Sequence, residues 1–200
     1  MIAWSIEAAQ SSAQVDEVMV STDDDEIADV ARDCGALVSF KRPAELSDDH
    51  TPTKPVIQHA IRHHMLSNGM PSYVCCLYPA APFVTGPLID EVISALKESS
   101  CDFSFPIKKF DHPIQRGFSL ENGSLKMLDP NAMRSRTQDL KEFFHDAGQL
   151  YWGTYSAWMT ASTIFESRCT GLKMLDFSGI DIDEQADWDL AEAIFKAGML

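Results

Sequence analysis

Apolar positions along the chain alternate between a helical period and short continuous runs. Ile2, Ile6 and Ala9 share one face of a helix that begins almost at the first residue. The run from Glu17 to Ser21 then predicts a strand. Thr22-Asp23-Asp24-Asp25-Glu26 is an acidic helix start, with Asp23 and Glu26 at capping-box spacing. Ile27, Val30, Ala31 and Cys34 supply the expected buried stripe, and Gly35 is placed to end the helix. Ala36 to Phe40 predicts a second strand. Pro55 opens a helix whose inner face is Val56, Ile57, Ala60 and Ile61. Tyr73 to Tyr78 is a continuous apolar strand of the kind covered on both faces. Pro87 to Leu96 is helical by pattern, Cys101 to Pro106 strand-like, and regular structure resumes at Tyr151 to Tyr155. A closing helix carries Trp188, Ala191, Ile194 and Phe195.

Strand and helix alternating at this spacing predict an α/β fold: a mostly parallel sheet with helices on both faces. Residues 1–200 read as a single domain. The stretch from Lys108 to Gly148, rich in Pro, Asn, Arg and Asp, breaks the rhythm. It is expected to be an excursion over the C-terminal edge of the sheet, where such folds bind ligands. A doubly wound fold ordinarily opens with a strand and a phosphate-binding turn, yet this pattern opens on the helix that should follow them.

Charge narrows the partners. The net charge of −14 is spread along the chain, a field that repels nucleic-acid backbones and anionic membranes. Anionic substrates would then need a metal ion or local cations. No apolar run is long enough to span a bilayer, and the opening residues do not form a signal peptide. Five cysteines without a C-x-x-C pair read as reduced thiols of a cytoplasmic protein.

The strongest chemical signal is Asp181-Ile182-Asp183. Carboxylates at i and i+2 of an extended segment point the same way and can share one hard cation; the alternative is that these residues cap the last helix, together with Asp187. Ser21 and Asp23 follow a strand at the ligand edge, where they could contact a nucleotide or only cap the next helix. Arg42 can fork onto a base carbonyl or phosphate, or pair with Glu45 or Asp48. Tyr78 to Phe83 follows the central strand as a substrate-shaping loop or a rigid turn. Arg134, Arg136 and Gln138 place cations and an amide in the excursion, suited to a sugar carboxylate. Gln149, Tyr151 and Trp152 add polar and aromatic surface, with core packing the alternative for Trp152. His59 and His63 have metal-ligand spacing but no carboxylate partner, so a packed or solvated face is expected.

Taken in order, Val18-Met19-Val20-Ser21-Thr22-Asp23, Glu26-Ile27-Ala28, Gly35-Ala36, Arg42 to Asp48, Val56 to Ala60, and Asp181-Ile182-Asp183 with Asp187-Trp188 resemble the acylneuraminate cytidylyltransferase family. Ser135 to Leu140 and His145 to Gly153 resemble its pseudaminic acid branch, whereas Tyr78-Pro79-Ala80-Ala81-Pro82 departs from the loop usual in sialic acid enzymes. The resemblance implies a Rossmann-like fold, a homodimer, and Mg²⁺ held by Asp181 and Asp183. It implies transfer of CMP from CTP to a nine-carbon acidic sugar, for surface glycans or flagellin. Ser21, Asp23 and Arg42 would lie at the nucleotide. Tyr78, Arg136, Gln138, Gln149 and Tyr151 would lie at the sugar, with residues 108–150 serving dimerisation. The family's opening strand and phosphate loop have no counterpart here, so weak or absent turnover is expected. Alternatives are an N-acetylneuraminate or legionaminate substrate, a phosphoacceptor signalling domain, or a non-catalytic nucleotide-sugar-binding remnant.

Overall fold

The computed structural model describes residues 1–174, 179–180 and 182–198. Among the described residues the α-helices are α1 (Ile2–Ser11), α2 (Asp25–Asp33), α3 (Thr53–Asn68), α4 (Gly86–Glu98), α5 (Tyr155–Thr160) and α6 (Gln185–Ala197). The strands are β1 (Tyr73–Leu77), β2 (Phe103–Lys109), β3 (Phe118–Glu121), β4 (Ser124–Met127), β5 (Phe144–Asp146), β6 (Leu150–Thr154) and β7 (Cys169–Lys173).

The layers are those of an α/β protein. Successive residues of β1 and β6 face opposite sides. Cys75, Leu77, Leu150 and Trp152 pack with α1 and α4 through Ala8, Ala9, Ile89, Val92, Ile93 and Leu96. Cys76 and Tyr151 pack with Phe103, Phe105, Ile61 of α3 and Trp158 of α5. Burying such side chains stabilises the fold by about 1.5–3 kcal/mol each. The two tryptophans also need partners for their N–H groups. Trp152 donates to Ile89 O at 3.1 Å and Trp158 to Val74 O at 3.0 Å. Trp152, 4% exposed, is therefore core rather than ligand surface.

The sheet corrects the expectation of mostly parallel strands. Among the described residues β6 lies antiparallel between β1 and β2, β5 is antiparallel to β2, and β7 alone runs parallel to β2. Ile107 faces Asp146 on one side and Lys173 on the other, so β5 continues along the edge of β2 that β6 occupies. Between them Gly148 takes φ +66°, a kink a β-carbon would resist. The cause is connectivity. After the excursion the chain re-enters the sheet at the same end it left, Phe144 opposite Lys109, and a strand buried on both faces looks the same in either direction.

The strands expected at 17–21 and 36–40 reduce to one parallel bridge, Met19 to Leu37, flanked by Val20 N→Leu37 O and Leu37 N→Val18 O, both 2.8 Å. The α2 stripe also shifts: Ala28 and Ala31 are buried, whereas Ile27 and Val30 are each 42% exposed. In α6, Ala191 and Ile194 are buried but Trp188 and Phe195 face outward, with Phe195 edge-on to Trp4 at 5.6 Å. Inside the excursion, β3 and β4 form a hairpin turning on Asn122 (φ 51°) and Gly123 (φ 81°). Positive φ at both central positions is the two-residue turn that Asn-Gly favours.

Candidate active site

One end of the site is built by the two turns that follow Met19 and Leu37. Asp24, not Asp23, caps α2, accepting from Ile27 N at 2.9 Å. That one-residue shift leaves Asp23 for a different partner. Arg42 N donates to Thr22 O at 2.8 Å, stitching the turns together. The Arg42 guanidinium then bonds Asp23 Oδ1 through Nη2 at 3.0 Å and Ser47 Oγ through Nε at 3.1 Å. Ser47 is held in turn by Pro43 O at 3.0 Å. The hydrogen bond from Arg42 holds the Asp23 carboxyl below its ordinary value of 3.8. The ion pair thus falls to Asp23 rather than to Glu45 or Asp48. Asp48 closes its own turn instead, accepting from His50 N at 2.9 Å and Thr51 N at 2.7 Å. None of these bonds uses Arg42 Nη1. Ser21 Oγ, beside them in sequence, is buried with no hydrogen-bond partner among the described residues.

The loop leaving Arg42 ends at α3, where Thr53 Oγ1 bonds Tyr78 OH at 2.8 Å. This contact joins the first end of the site to a second. There the C-terminal end of β1 meets the start of β6, Tyr78 N donating to Gln149 O at 2.9 Å. The Tyr78 and Tyr151 rings lie edge to face at 5.8 Å. Tyr151 OH donates to Asp146 across the Gly148 kink. Burial raises the Tyr151 phenol above its ordinary value, and the Asp146 carboxylate adds to the effect. Gln149, 1% exposed, donates through Nε2 to Ile180 O at 3.1 Å. Ile180 and Ile182 pack with Phe83, so the loop after β1, Gln149 and the segment leading to Asp183 converge at one edge of the sheet.

Asp181 lies outside the described residues. Asp183 is exposed, and its backbone N–H donates to Asp187 Oδ2 at 3.1 Å. Asp187 also accepts from Glu184 N at 2.9 Å and forms a capping box with Glu184, so capping is its structural job. Among the described residues no three His, Cys, Asp or Glu side chains converge as a metal site. Carboxylate oxygens at 181 and 183 are nonetheless the donor type a hard divalent cation takes.

Arg136 forks onto Asp139 at 2.8 and 3.2 Å on an exposed turn, and Gln138 is exposed beside it. Among the described residues no hydrogen bond joins either side chain to Tyr78, Gln149 or Tyr151. His59 and His63 pack against Phe40, with ring centroids 4.8 and 4.4 Å away. Burial first, then His63, lowers the His59 pKa. Thr53, which fixes Tyr78, was not among the sequence candidates, and Asp146, which fixes Tyr151, was read only as part of the segment from His145 to Gly153. Asp146 lies five residues before Tyr151, and only the kink at Gly148 brings them together.

Residues 1–150 match the family model described as Cytidylyltransferase. Over 197 residues the chain is 36% identical to pseudaminic acid cytidylyltransferase of Campylobacter jejuni, covering 98% of this chain and 85% of that protein. It is 32% identical over 183 residues to a Helicobacter pylori protein named pseudaminic acid cytidylyltransferase and UDP-2,4-diacetamido-2,4,6-trideoxy-beta-L-altropyranose hydrolase, covering 91% of this chain but 35% of that longer one. In fold it is similar to CMP:2-keto-3-deoxy-manno-octonic acid synthetase complexed with CTP, with TM-score 0.66, 13% identity, and coverage of 98% of this chain and 88% of that one. The chain belongs to the cytidylyltransferase family, and its class of activity is nucleotidyl transfer.

Proposed function

We propose that this protein transfers CMP from CTP to pseudaminic acid, giving CMP-pseudaminic acid and pyrophosphate. The carrying observation is the 36% identity to a pseudaminic acid cytidylyltransferase across 98% of the chain. In this reading the sugar's anomeric hydroxyl attacks the α-phosphorus, the bond to the β-phosphate oxygen breaks, and pyrophosphate leaves. Arg42, oriented by Asp23 and Ser47, presents Nη1 to the cytidine moiety, and Ser21 Oγ offers a buried hydroxyl beside it. Tyr78, Gln149 and Tyr151 shape the sugar side, and Arg136 and Gln138 meet its carboxylate and polar groups. Binding both substrates side by side removes the entropic cost of their encounter. Asp181 and Asp183 would hold Mg²⁺, which when bound neutralises triphosphate charge.

The apolar face of the β3–β4 hairpin supports a homodimer. Phe118, Leu120 and Leu125 share one face with Met127 and are 56%, 71% and 68% exposed, while Ser119, Glu121, Ser124 and Lys126 form the polar face. A two-stranded hairpin is marginal alone, and a second copy of the same face would cover it. Among the described residues no helix is long and apolar enough to cross a membrane.

Among the described residues β1 pairs on one edge only, and the Met19–Leu37 bridge joins no strand of the main sheet. Pyrophosphate release from CTP and Mg²⁺, with pseudaminic, N-acetylneuraminic and legionaminic acids in parallel, tests the assignment. Release greatest with pseudaminic acid is expected. Preference for either other sugar would overturn the substrate.

A further inference from the structure

We propose that Gln115 and Arg116 are positioning residues that lock the 135–141 loop, the segment carrying Arg136 and Gln138. The two side chains are adjacent in sequence, on the tight turn Ile114–Arg116 beyond β2, and they hold opposite ends of the loop. Arg116 Nη2 donates to Ser135 O at 2.5 Å and Nη1 to Thr137 Oγ1 at 3.1 Å. Gln115 Nε2 donates to Lys141 O at 2.8 Å. Within the loop the backbone bonds among the described residues are those of a turn, Asp139 N→Arg136 O at 3.0 Å and Leu140 N→Thr137 O at 3.3 Å, and Arg136 spends its fork on Asp139. A single turn does not hold an exposed segment in place, because each bond formed fixes several dihedrals. The long-range anchors supply what the turn lacks.

The platform itself is stiff. Arg116 N and Gly117 N bond Pro113 O and Ile114 O, each at 2.9 Å, and Gly117 O receives Leu128 N at 2.9 Å. A β-carbon on Gly117 would stand 2.9 Å from Leu128 Cδ1 and 3.0 Å from Ile114 O, so a side chain there would have to displace the flexible end of Leu128. Arg116 Nε and Gln115 Oε1 are both buried with no partner among the described residues. Unpaired buried polar atoms work against stability, so these two side chains are kept for the loop contacts rather than for packing.

The functional half of this inference rests on the sugar-loop reading above; the structural half does not. The test therefore has two readouts on the intact chain: amide hydrogen exchange at residues 135–141 without ligand, and titration with CMP-pseudaminic acid. Arg116→Ala and Arg116→Lys are both expected to speed exchange at Ser135, Asp139 and Leu140 by about tenfold or more, with α4 and β6 unchanged. Lysine keeps the charge but cannot reproduce the fork. Gln115→Ala should loosen the Lys141 end alone, a milder change that guards against misfolding. CMP-pseudaminic acid affinity should fall by about tenfold in both Arg116 variants, with CTP affinity unchanged. Unchanged exchange in Arg116→Ala overturns the lock. Full recovery of affinity in Arg116→Lys overturns positioning in favour of simple charge. Faster exchange with unchanged affinity supports the lock and overturns the assignment of this loop to the sugar.

Discussion

Arg42 Nη2 stands 3.0 Å from Asp23 Oδ1, an ion pair that links the turns after two neighbouring β segments. It exists because Asp24 takes the capping of α2 and leaves Asp23 unclaimed. Arg42→Lys keeps the charge but cannot reach Ser47 and Asp23 together, and it has no second amino group to aim at a base. CTP affinity measured by calorimetry should fall by about tenfold to a hundredfold, the scale of losing a forked, charge-assisted contact. An unchanged affinity would remove Arg42 from the nucleotide site.

The same pair has a pH signature. Arg42 lowers the Asp23 pKa below 3.8, so the folded carboxyl is depressed relative to the unfolded one. Its contribution is therefore complete above the unfolded value and is lost only as pH falls through the lower, folded value. A carbon-detected NMR titration should place the Asp23 midpoint below 3.8 in the native protein. In Arg42→Ala it should move upward, toward the ordinary value.

Much of the fold was legible where a local rule suffices. Gly35 and the starts of α1 and α4 were readable to within a residue because each depends on a few neighbouring residues. Strand direction was not. The run Leu150 to Gly153 is buried on both faces, and its antiparallel placement follows from where the excursion returns. The hairpin was missed although Asn122-Gly123 announces its turn, because its strands are only four residues each. At the site, Tyr78, Gln149 and Tyr151 do come together, through strand pairing that no sequence spacing encodes. Among the described residues Arg136 and Gln138 make no hydrogen bond to them, and the capping choice between Asp23 and Asp24 depended on a tertiary partner, Arg42.

The exposed hairpin face predicts self-association. Leu120→Glu places a charge opposite Leu125 at the centre of that face. Sedimentation analysis should show the native protein as a dimer and the variant as a folded monomer. A monomeric native protein would assign the hairpin to another partner.

Gly153 sits where β6 crosses beneath Phe103 and Trp158. A β-carbon there would stand 2.5 Å from Phe103 Cε1 and 2.6 Å from Trp158 Nε1. Gly153→Ala should therefore disturb the Trp158–Val74 bond and destabilise the fold by about 1–3 kcal/mol, the usual scale of overpacking. Urea unfolding followed by tryptophan fluorescence measures it.

Buried thiols provide an independent check on the core. Burial pushes the Cys76 thiol up to about 12, leaving almost no thiolate near neutral pH. Alkylation followed by mass spectrometry should leave Cys76 unmodified until denaturant is added.

The most direct measurement of the central assignment is calorimetric titration of the purified chain with CMP-pseudaminic acid, CMP-N-acetylneuraminic acid and CMP-legionaminic acid, each with Mg²⁺ and then with EDTA. CMP-pseudaminic acid should bind most tightly, and its binding should weaken when the metal is removed. Equal binding of all three, or none, would contradict the assignment.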